Sequence, residues 1–251
     1  MRIVFLAVDD EFAGLMQQHV YERHPEWVAL SVISSSLLYR KSNLGAALFL
    51  ARHSGFKYIG EMVRMKIVRQ LMNGRGALSA TTLAKRYGVE TYHTADINGA
   101  DSMAKLRAAR PDLIISTNFS QYVGKDVRGI PSAGAWNLHK SYLPHYRGMA
   151  PNFYALLEDA TSVGATLHVL AKGFDTGDII EQVPVAIQPG DGVYDLNKRT
   201  SDAGGRVLLR VLEDIKLESI RPTPQPDGNW RTYTYPCRQD VRAFTRKGCR
   251  F

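Results

Sequence analysis

The stretch ADSMAKLRAARPDLIIST, residues 100–117, holds a helix, a stop and a strand in direct succession. Its first ten residues are mostly good helix formers. Pro111 ends the helix because it lacks a backbone N–H and forces the residue before it out of the helical region. The apolar residues 113–115 that follow are typical of a short buried strand. The stretch therefore predicts a helix that leads into a strand within the core.

The same alternation occurs on the N-terminal side of this stretch. Residues 2–8 and 27–34 are strand-like apolar runs, and residues 11–24 between them have a helical pattern. A further helix is predicted from an N-cap at Ser79 to Gly88, with a short strand after it. Strands that alternate with helices indicate an α/β fold of Rossmann type with a mostly parallel sheet. Such sheets bind their ligands at the carboxyl ends of the strands.

The pattern changes in the C-terminal half. Residues 134–139 are strand-like, and a short helix is predicted from Pro151. Two long strands follow, separated by the turn Asp-Thr-Gly-Asp at residues 175–178. A final helix is predicted to run to about residue 218.

The chain is predicted to form one large domain with a small appendage. Its 251 residues, 45% of them hydrophobic, are enough for a sizeable core. We assign residues 1–218 to the domain and the proline-rich residues 219–230 to a linker. Residues 231–251 form a C-terminal extension, predicted to be a strand pair or hairpin packed on the body or on a partner subunit. A homodimer is the expected assembly.

The N-terminus and the cysteines favour a cytoplasmic protein. The first twelve residues, MRIVFLAVDDEF, have a short apolar run followed by three acids, which suits a strand better than a signal peptide. Cys237 and Cys249 are expected to be reduced, and their spacing matches no metal site. No apolar run in the sequence reaches the length of a membrane span.

Positive charge is concentrated in the basic segment, residues 37–75. The chain has a net charge of +8, and this segment holds eight Lys or Arg residues against the single acid Glu61. Its pattern is mostly helical from Leu44 to Leu71, with a break near Gly55. One interpretation of this charge is a solvated helical surface. The second is a surface that attracts an anionic ligand, such as a phosphate-bearing substrate or a polyglutamylated cofactor. Nucleic-acid binding is a third interpretation, but no motif accompanies it.

Asn137, His139 and Asp175 are the candidate catalytic residues. Asn137 and His139 lie two apart, so in a strand both side chains project from the same face. An amide N–H and an imidazole that converge on one point stabilise an oxyanion and move a proton. A carboxylate beside them, such as Asp175, orients the imidazole, raises its pKa or holds a water. A histidine used only for packing is the alternative interpretation of His139.

The segments NLHKSYLP (137–144), YRG (146–148), GATLHVLAKGFDTGDII (164–180) and PDLIISTNF (111–119) resemble the formyltransferase family that uses 10-formyltetrahydrofolate. That family includes methionyl-tRNA, glycinamide ribonucleotide and amino-sugar formyltransferases. The residues that match its hallmark are Asn137, His139, Ser141, Leu143, Pro144, Asp175, Gly177 and Asp178. The resemblance covers roughly residues 79–215, with a weaker fit at the first strand.

The resemblance implies roles for the three candidate residues. Asn137 and a protonated His139 stabilise the oxyanion as the acceptor amine attacks the formyl carbon. Asp175 keeps the imidazole charged and, through water, helps to carry the amine proton to the leaving group. The resemblance implies 10-formyltetrahydrofolate as the formyl donor and no metal.

Binding residues follow from the same resemblance. The residues implied in folate binding are Asn118, Phe119, Gln121, Tyr122, Val123, Gly177 and Asp178, with apolar contacts from Leu83, Tyr87 and Val89. Core packing is an equal alternative for Leu83 and Val89. On the acceptor side, Ser141, Arg147 and Gly148 are implied to bind the substrate, and Ser141 and Pro144 to shape the loop. Arg147 meets an anionic acceptor or forms a surface salt bridge.

Departures from the family pattern narrow the range of possible acceptors. Lys140 stands where the family more often has proline or a small residue, and residues 7–14, AVDDEFAG, lack the glycine-rich loop that binds glycinamide ribonucleotide. The short segment after the linker disfavours methionyl-tRNA, and the missing regulatory domain disfavours formyltetrahydrofolate hydrolase. An amino-sugar nucleotide or another small biosynthetic amine is therefore the expected acceptor. A basic nucleic-acid-binding protein without catalysis is an alternative from another class. The segment FDTGDII (174–180) also resembles the Asp-Thr-Gly loop of aspartic proteases, but the alternation of helices and strands disfavours a protease.

Overall fold

The computed structural model describes residues 1–36, 42–72, 78–214 and 220–251. Its strands are β1 (Ile3–Ala7), β2 (Val28–Ser34), β3 (Thr91–Thr94), β4 (Leu113–Thr117), β5 (Gly134–His139), β6 (Arg147–Gly148), β7 (Ser162–Val169), β8 (Ile179–Ala186) and β9 (Thr232–Tyr233). Its helices are α1 (Glu11–Arg23), α2 (Asn43–His53), α3 (Phe56–Met72), α4 (Ala80–Arg86), α5 (Ala100–Ala109), α6 (Lys125–Arg128), α7 (Pro151–Leu157), α8 (Val193–Asp214) and α9 (Arg238–Arg246).

Seven strands form one sheet in the order β3-β2-β1-β4-β5-β7-β8. The first five are parallel, and β7 and β8 are antiparallel to their neighbours. The α/β fold with a mostly parallel sheet is thereby confirmed. The helix and strand predicted for residues 100–117 are α5 and β4. The predicted cap also forms, since the Ser79 hydroxyl accepts a hydrogen bond from the Thr82 N–H at 3.3 Å.

Alternate residues of the central strands supply the cores on the two faces of the sheet. Ile3 and Phe5 of β1 pack with α1, α4 and α8, whereas Val4 and Leu6 pack on the other face with α5 and α6. This follows from the two-residue period of a strand. With both faces covered, the remaining ligand surface is the edge where the parallel strands end.

The change of strand direction at β5 places two strands side by side at this edge. β5 is parallel to β4 but antiparallel to β7, so the carboxyl end of β5 lies beside the central part of β7. Asn137 is the register partner of His168, and His139 is that of Thr166. The predicted turn at 175–178 then connects β7 to β8, which brings its residues back to the same end of the sheet.

The predicted C-terminal hairpin is wrong. β9 is only two residues long and pairs in parallel with β6, and the following residues form α9. α9 begins because the Asp240 carboxylate accepts the Cys237 N–H at 2.8 Å, completing a capping box. Its Phe244 stacks on Phe153 of α7, with ring centroids 4.3 Å apart. The extension packs on the body of the same chain, where its Tyr233 and Phe244 are buried.

The predicted linker is part of the folded body where the structure describes it. Thr223 and Ile179, the first residue of β8, exchange two backbone hydrogen bonds of 2.8 Å each. This isolated bridge ties residues 220–230 to the edge of the sheet. Residues 215–219, which include the predicted end of the last helix, lie outside the described residues.

The basic segment forms α2 and α3, with the predicted break between them at Ser54–Gly55. These helices rest on the C-terminal extension. The Arg238 guanidinium donates to the Ala51 carbonyl at 3.1 Å, and a ring nitrogen of His53 lies 2.9 Å from the Tyr235 carbonyl. Residues 37–41 and 73–77 lie outside the described residues. No helix in the described part of the chain is both long and apolar enough to cross a membrane.

Candidate active site

Asn137, His139 and Asp175 come together at the carboxyl end of β5. The Asn137 amide nitrogen lies 3.2 Å from Asp175 Oδ1, and His139 Nδ1 lies 3.5 Å from Asp175 Oδ2. The imidazole is buried and the carboxylate nearly so. The convergence expected from the spacing of these three residues is therefore present, and an amide, an imidazole and a carboxylate share one partly enclosed space.

The loop that carries Asp175 is held in an unusual conformation. Asp175 has a φ of 53°, in the left-handed region that residues with a side chain seldom adopt. Its Oδ2 accepts the backbone N–H of Gly148 at 2.7 Å. Gly177 passes so close to β7 that an added Cβ would lie 1.8 Å from the Val169 carbonyl oxygen. The glycine of the Asp-Thr-Gly-Asp turn is thus required for the loop to close on the sheet.

Gln225 fastens this loop from the opposite side. Its amide nitrogen donates to the carbonyl oxygens of Asp175 and Gly177, both at 2.8 Å. Its amide oxygen accepts from Arg147 Nε at 3.1 Å and from an Arg147 terminal nitrogen at 2.6 Å. The sequence analysis missed this residue because it lies in a proline-rich segment without periodicity. One side chain therefore ties together the segments that carry Gly148 and Asp175.

His168 is a second residue that the sequence analysis missed. Its ring is almost fully buried, with Nε2 3.1 Å from the Asn137 amide nitrogen and 3.4 Å from Asp175 Oδ1. Its Nδ1 lies 2.9 Å from the Val169 carbonyl, which requires the proton on Nδ1 and leaves Nε2 as an acceptor. The signal in the sequence is a pair of polar residues, Thr166 and His168, two positions apart in the otherwise apolar run ATLHV (165–169).

The His139 imidazole lies between two oxygen acceptors. Nε2 is 3.0 Å from the Tyr146 carbonyl oxygen, and Nδ1 is 3.5 Å from Asp175 Oδ2. Burial lowers the pKa of His139 below its ordinary value, because the cation loses its hydration inside the protein. The Asp175 carboxylate opposes this shift but has the smaller effect. Asp175 thus favours the charged imidazole, as the resemblance implies, while burial favours the neutral one.

The Asp175 carboxyl is held ionised. Burial by itself raises its pKa, but attraction to the His139 and His168 rings in their protonated forms, together with the Gly148 N–H, outweighs that effect and holds the pKa well below its usual range. A neutral His139 with its proton on Nε2, facing an ionised Asp175, fits the 3.0 Å and 3.5 Å separations at its two nitrogens. In this state Nδ1 is free to gain a proton, and Asp175 is placed to stabilise the resulting cation.

Part of the predicted folate-binding stretch faces this site. Asn118, with a φ of 57°, accepts a hydrogen bond from Lys140 Nζ at 3.2 Å. The Tyr122 hydroxyl donates to the Lys172 carbonyl at 3.2 Å, just before the Asp175 loop. Phe174 of that loop is 62% exposed and lies edge-on to Tyr122, with ring centroids 6.0 Å apart. The end of β4 and the Asp175 loop therefore form one partly exposed aromatic edge.

Other predicted folate contacts are used within the protein. The Gln121 amide accepts from the Ile97 N–H at 2.7 Å and donates to Ser34 and to the Thr94 carbonyl, each at 2.9 Å. Val123 is buried among the aliphatic residues packed on the α5 face of the sheet, where Phe119 is also partly buried. The side chains of Gln121 and Val123 thus stabilise strand ends and the core.

The predicted apolar contacts from the α4 region are also corrected. Leu83 is buried in the core under α1 and α8, and Tyr87 and Val89 pack against the same cluster. The Tyr87 ring lies 5.6 Å from that of Tyr21. For Leu83 and Val89 this is the core packing that the sequence left open as an alternative. We do not include them in the proposed folate site.

The predicted acceptor-side residues serve mainly to shape the site. Ser141 is buried, and its hydroxyl donates to the His145 carbonyl at 2.8 Å. Arg147 is held by Gln225, and Gly148 donates its N–H to Asp175. Asp178 is exposed, and its carbonyl accepts the Val169 N–H at 2.9 Å. Among the described residues, no group of three or more His, Cys, Asp or Glu is arranged to hold a metal ion.

Residues 29–212 match the family model described as formyl transferase. This match spans well over half of the chain and contains all three candidate catalytic residues. The chain belongs to the formyl transferase family. The family resemblance drawn from the segments around Asn137, His139 and Asp175 is thus confirmed, and the matched range begins earlier than the sequence analysis expected.

Curated relatives of the chain are methionyl-tRNA formyltransferases. The protein of Ehrlichia ruminantium strain Gardel is 31% identical over 153 residues, which cover 61% of this chain and 50% of the relative. That of Macrococcus caseolyticus is 34% identical over 145 residues, covering 58% of this chain and 47% of the relative. The chain therefore spans about half the length of the curated relatives that it matches.

Solved structures of other formyl transferases share the fold. The N-formyltransferase of Helicobacter canadensis, solved with folinic acid and dTDP-3-aminofucose, has a TM-score of 0.62 at 16% identity, covering 96% of this chain and 72% of that one. The phosphoribosylglycinamide formyltransferase of Anaplasma phagocytophilum has a TM-score of 0.63 at 17% identity, covering 91% and 94%. At these identities the likeness is one of fold.

Proposed function

We propose that this formyl transferase moves a formyl group from 10-formyltetrahydrofolate to the amine of a small biosynthetic acceptor. The observation that carries the proposal is the convergence of Asn137, His139 and Asp175, within 3.5 Å contacts, at the carboxyl end of a sheet of this family. An amide donor, a neutral imidazole and an ionised carboxylate are the groups that acyl transfer to an amine requires.

The aromatic edge beside Asp175 supports a folate as donor. Bound there, 10-formyltetrahydrofolate supplies a formyl carbon that is open to attack by an amine. The exposed ring of Phe174 and the neighbouring Tyr122 offer aromatic surface to its flat rings. Backbone groups of residues 118–123 lie at the end of β4, where ligands of such sheets bind. These residues fit a flat, polar-edged donor.

His139 is proposed to act as a base. Its lowered pKa keeps Nδ1 unprotonated near neutral pH, so Nδ1 can take the proton that the acceptor amine loses on attack. Asp175 stabilises the imidazolium that forms, and the proton then passes, directly or through water, to the nitrogen that leaves the formyl carbon. The new C–N bond to the acceptor and the broken C–N bond to the donor balance the transfer.

Asn137 is proposed to stabilise the negative charge that develops on the formyl oxygen. In this structure its amide nitrogen contacts both Asp175 and His168. To serve as an oxyanion donor, the amide must exchange its 3.2 Å contact with Asp175 for the formyl oxygen while His168 keeps it oriented. An oxyanion donor of this kind is worth on the order of a hundredfold in rate.

An amino-sugar nucleotide is the acceptor that we favour. In the first loop two backbone N–H groups are already engaged by carboxylates, since Asp9 accepts the Thr81 N–H at 3.0 Å and Asp10 accepts the Ala13 N–H at 2.8 Å. Two carboxylates placed there disfavour glycinamide ribonucleotide. The second candidate is a methionyl-tRNA acceptor, which the sequence similarity to the curated relatives favours.

The test is release of tetrahydrofolate from 10-formyltetrahydrofolate with a panel of amines. The panel contains amino-sugar nucleotides, methionyl-tRNA, glycinamide ribonucleotide and simple amines, with folate binding measured in the same samples. We expect release that depends on an amino-sugar nucleotide. Release only with methionyl-tRNA would favour the second candidate acceptor. Absence of folate binding would contradict both candidates.

A further inference from the structure

The helices of the basic segment expose an apolar surface that the rest of the described chain does not match. Of ten large hydrophobic residues found exposed among the described residues, seven lie in α2 and α3. Five of them are at least half exposed: Phe56 (79%), Leu44 (73%), Leu48 (53%), Val63 (50%) and Ile67 (50%). We call these five residues the α2–α3 face. Large hydrophobic residues that are exposed together on two neighbouring helices are typical of an interaction site.

The α2–α3 face follows helical periodicity. Phe56, Val63 and Ile67 are separated by seven and four residues, so they lie along one stripe of α3. Leu44 and Leu48 are four apart on α2. Other residues of the same helices pack inward: Leu50 is buried with Ile59 and Tyr235, and Tyr58 is buried beside Phe153. Each helix thus has an inner apolar side and a second one facing outward.

The surroundings of the α2–α3 face are basic. Residues 42–72 contain five Lys or Arg residues and one acid, a net charge of +4. The acid, Glu61, is paired with Arg64 at 2.7 Å. Arg52 and Lys57 are exposed and form no ion pair with any described residue. The same helices that expose the apolar residues therefore carry two exposed cations, Arg52 and Lys57, that no described carboxylate pairs with.

We propose that the α2–α3 face docks the protein on an anionic lipid membrane. Apolar side chains enter the boundary between headgroups and acyl chains, while Arg52 and Lys57 meet anionic headgroups. A second copy of this chain fits less well, because a symmetric contact would bring the same cations together. A nucleic acid would satisfy the charge but leave the apolar stripe in water. The helices lie on the membrane surface and do not cross it.

Vesicle flotation tests this proposal with the full chain. The probes are vesicles of phosphatidylcholine containing one quarter phosphatidylglycerol, and vesicles of phosphatidylcholine alone. The apolar variant is Leu48→Ser with Phe56→Ser and Ile67→Ser, and the charge variant is Arg52→Glu with Lys57→Glu. The matched charge control is Arg107→Glu with Lys125→Glu, which makes the same change in net charge on exposed residues of α5 and α6. Thermal unfolding of each variant checks the fold.

We expect the wild type and the charge control to float with anionic vesicles. The charge variant should bind at least about thirtyfold more weakly, since each cation near an anionic surface contributes to binding. The apolar variant should also lose flotation while it unfolds at the wild-type temperature. Equal losses in the charge variant and its control would overturn the proposal, because binding would then reflect net charge alone.

Two further outcomes would also overturn it. In one, vesicle binding is absent and sedimentation shows a dimer that the apolar variant abolishes, which would assign the face to a second copy. In the other, the wild type binds RNA but not vesicles, and the apolar variant retains that binding. The inference does not depend on the proposed formyl transfer, because flotation is read without substrate.

Discussion

Asn137 and His168 are register partners on the antiparallel strands β5 and β7, and the Asn137 amide nitrogen lies 3.1 Å from His168 Nε2. The strand pairing thus orients the amide of the proposed oxyanion donor. Because Nδ1 of His168 donates to the Val169 carbonyl, Nε2 of the neutral ring accepts the Asn137 N–H. His168 is therefore a positioning residue, which acts on the reaction through Asn137.

Replacing His168 by Ala should lower kcat by about tenfold or more with little change in KM for the folate. The reason is that an unanchored Asn137 loses the orientation on which oxyanion stabilisation depends. Steady-state kinetics measures this change, with the amine of the panel that supports release of tetrahydrofolate as the acceptor. The control is His19→Ala, which removes another imidazole held by a carboxylate, Asp202, at the α1–α8 contact. Equal kinetic losses in both variants would refute a specific role for His168.

The pKa of His139 should lie below the ordinary value of about 6.5, because burial opposes its protonation. The imidazole is then neutral at pH 7 and gains its proton only as the pH falls below that ordinary value. In Asp175→Asn the pKa should fall further, since the opposing carboxylate charge is gone. Titration of the His139 ring proton by NMR measures both. A wild-type value at or above the ordinary one, or a rise in Asp175→Asn, would contradict this assignment.

Gln225→Ala should lower kcat by about tenfold and leave the free energy of unfolding within about 1–3 kcal/mol of the wild type. The variant releases the carbonyls of Asp175 and Gly177, so the carboxylate is less well placed. Gln225→Glu distinguishes the role of the amide oxygen from that of the amide nitrogen. It keeps an acceptor for Arg147 but has no N–H for the loop, and it should be at least as impaired. Wild-type kcat in Gln225→Glu would mean that the contact with Arg147 matters and the loop contacts do not.

Gly148→Ala should destabilise the fold and reduce activity together. Gly148 has a φ of 90°, and an added Cβ would lie 2.2 Å from the Tyr233 carbonyl oxygen of β9. Gly190→Ala is the matched control, since its φ is 85° and nothing lies within 4 Å of the added Cβ. Both variants carry backbone strain of about 1–3 kcal/mol, and only Gly148→Ala separates β6 from β9. Urea unfolding and kcat should both distinguish them, and indistinguishable variants would be evidence against the close contact.

The sheet could be predicted because it depends on local patterns. Apolar runs such as residues 113–115, helical periods and stops such as Pro111 act over a few residues. The convergence of Asn137 and His139 with Asp175 also followed, from the two-residue period of a strand and a family resemblance. These features require no knowledge of which distant segments meet.

The remaining features depend on contacts between distant segments. His168 joins the site only because β7 pairs antiparallel to β5 in one register, and Gln225 because residues 220–230 bridge to β8. The sequence predicts a hairpin in residues 231–251, whereas Phe244 lies in α9 and stacks on Phe153 of α7. Tertiary packing decided between strand and helix there, and local propensity could not.

The proposed roles of the three catalytic residues predict a strong dependence of turnover on each. His139→Ala and Asp175→Ala should lower turnover by several orders of magnitude, and Asn137→Ala by about a hundredfold or more. Circular dichroism and folate binding should remain close to those of the wild type, because the three side chains lie at the edge of the sheet. A variant that kept a near-normal rate would show that its role is wrongly assigned.

The most direct measurement of the central claim is transfer of an isotopically labelled formyl group from 10-formyltetrahydrofolate to an acceptor amine, followed by mass spectrometry. The wild type should place the label on the amine nitrogen of an amino-sugar nucleotide, and His139→Ala should bind the folate without transferring the label. Folate binding by the wild type without label transfer to any amine, or undiminished transfer by His139→Ala, would contradict the claim.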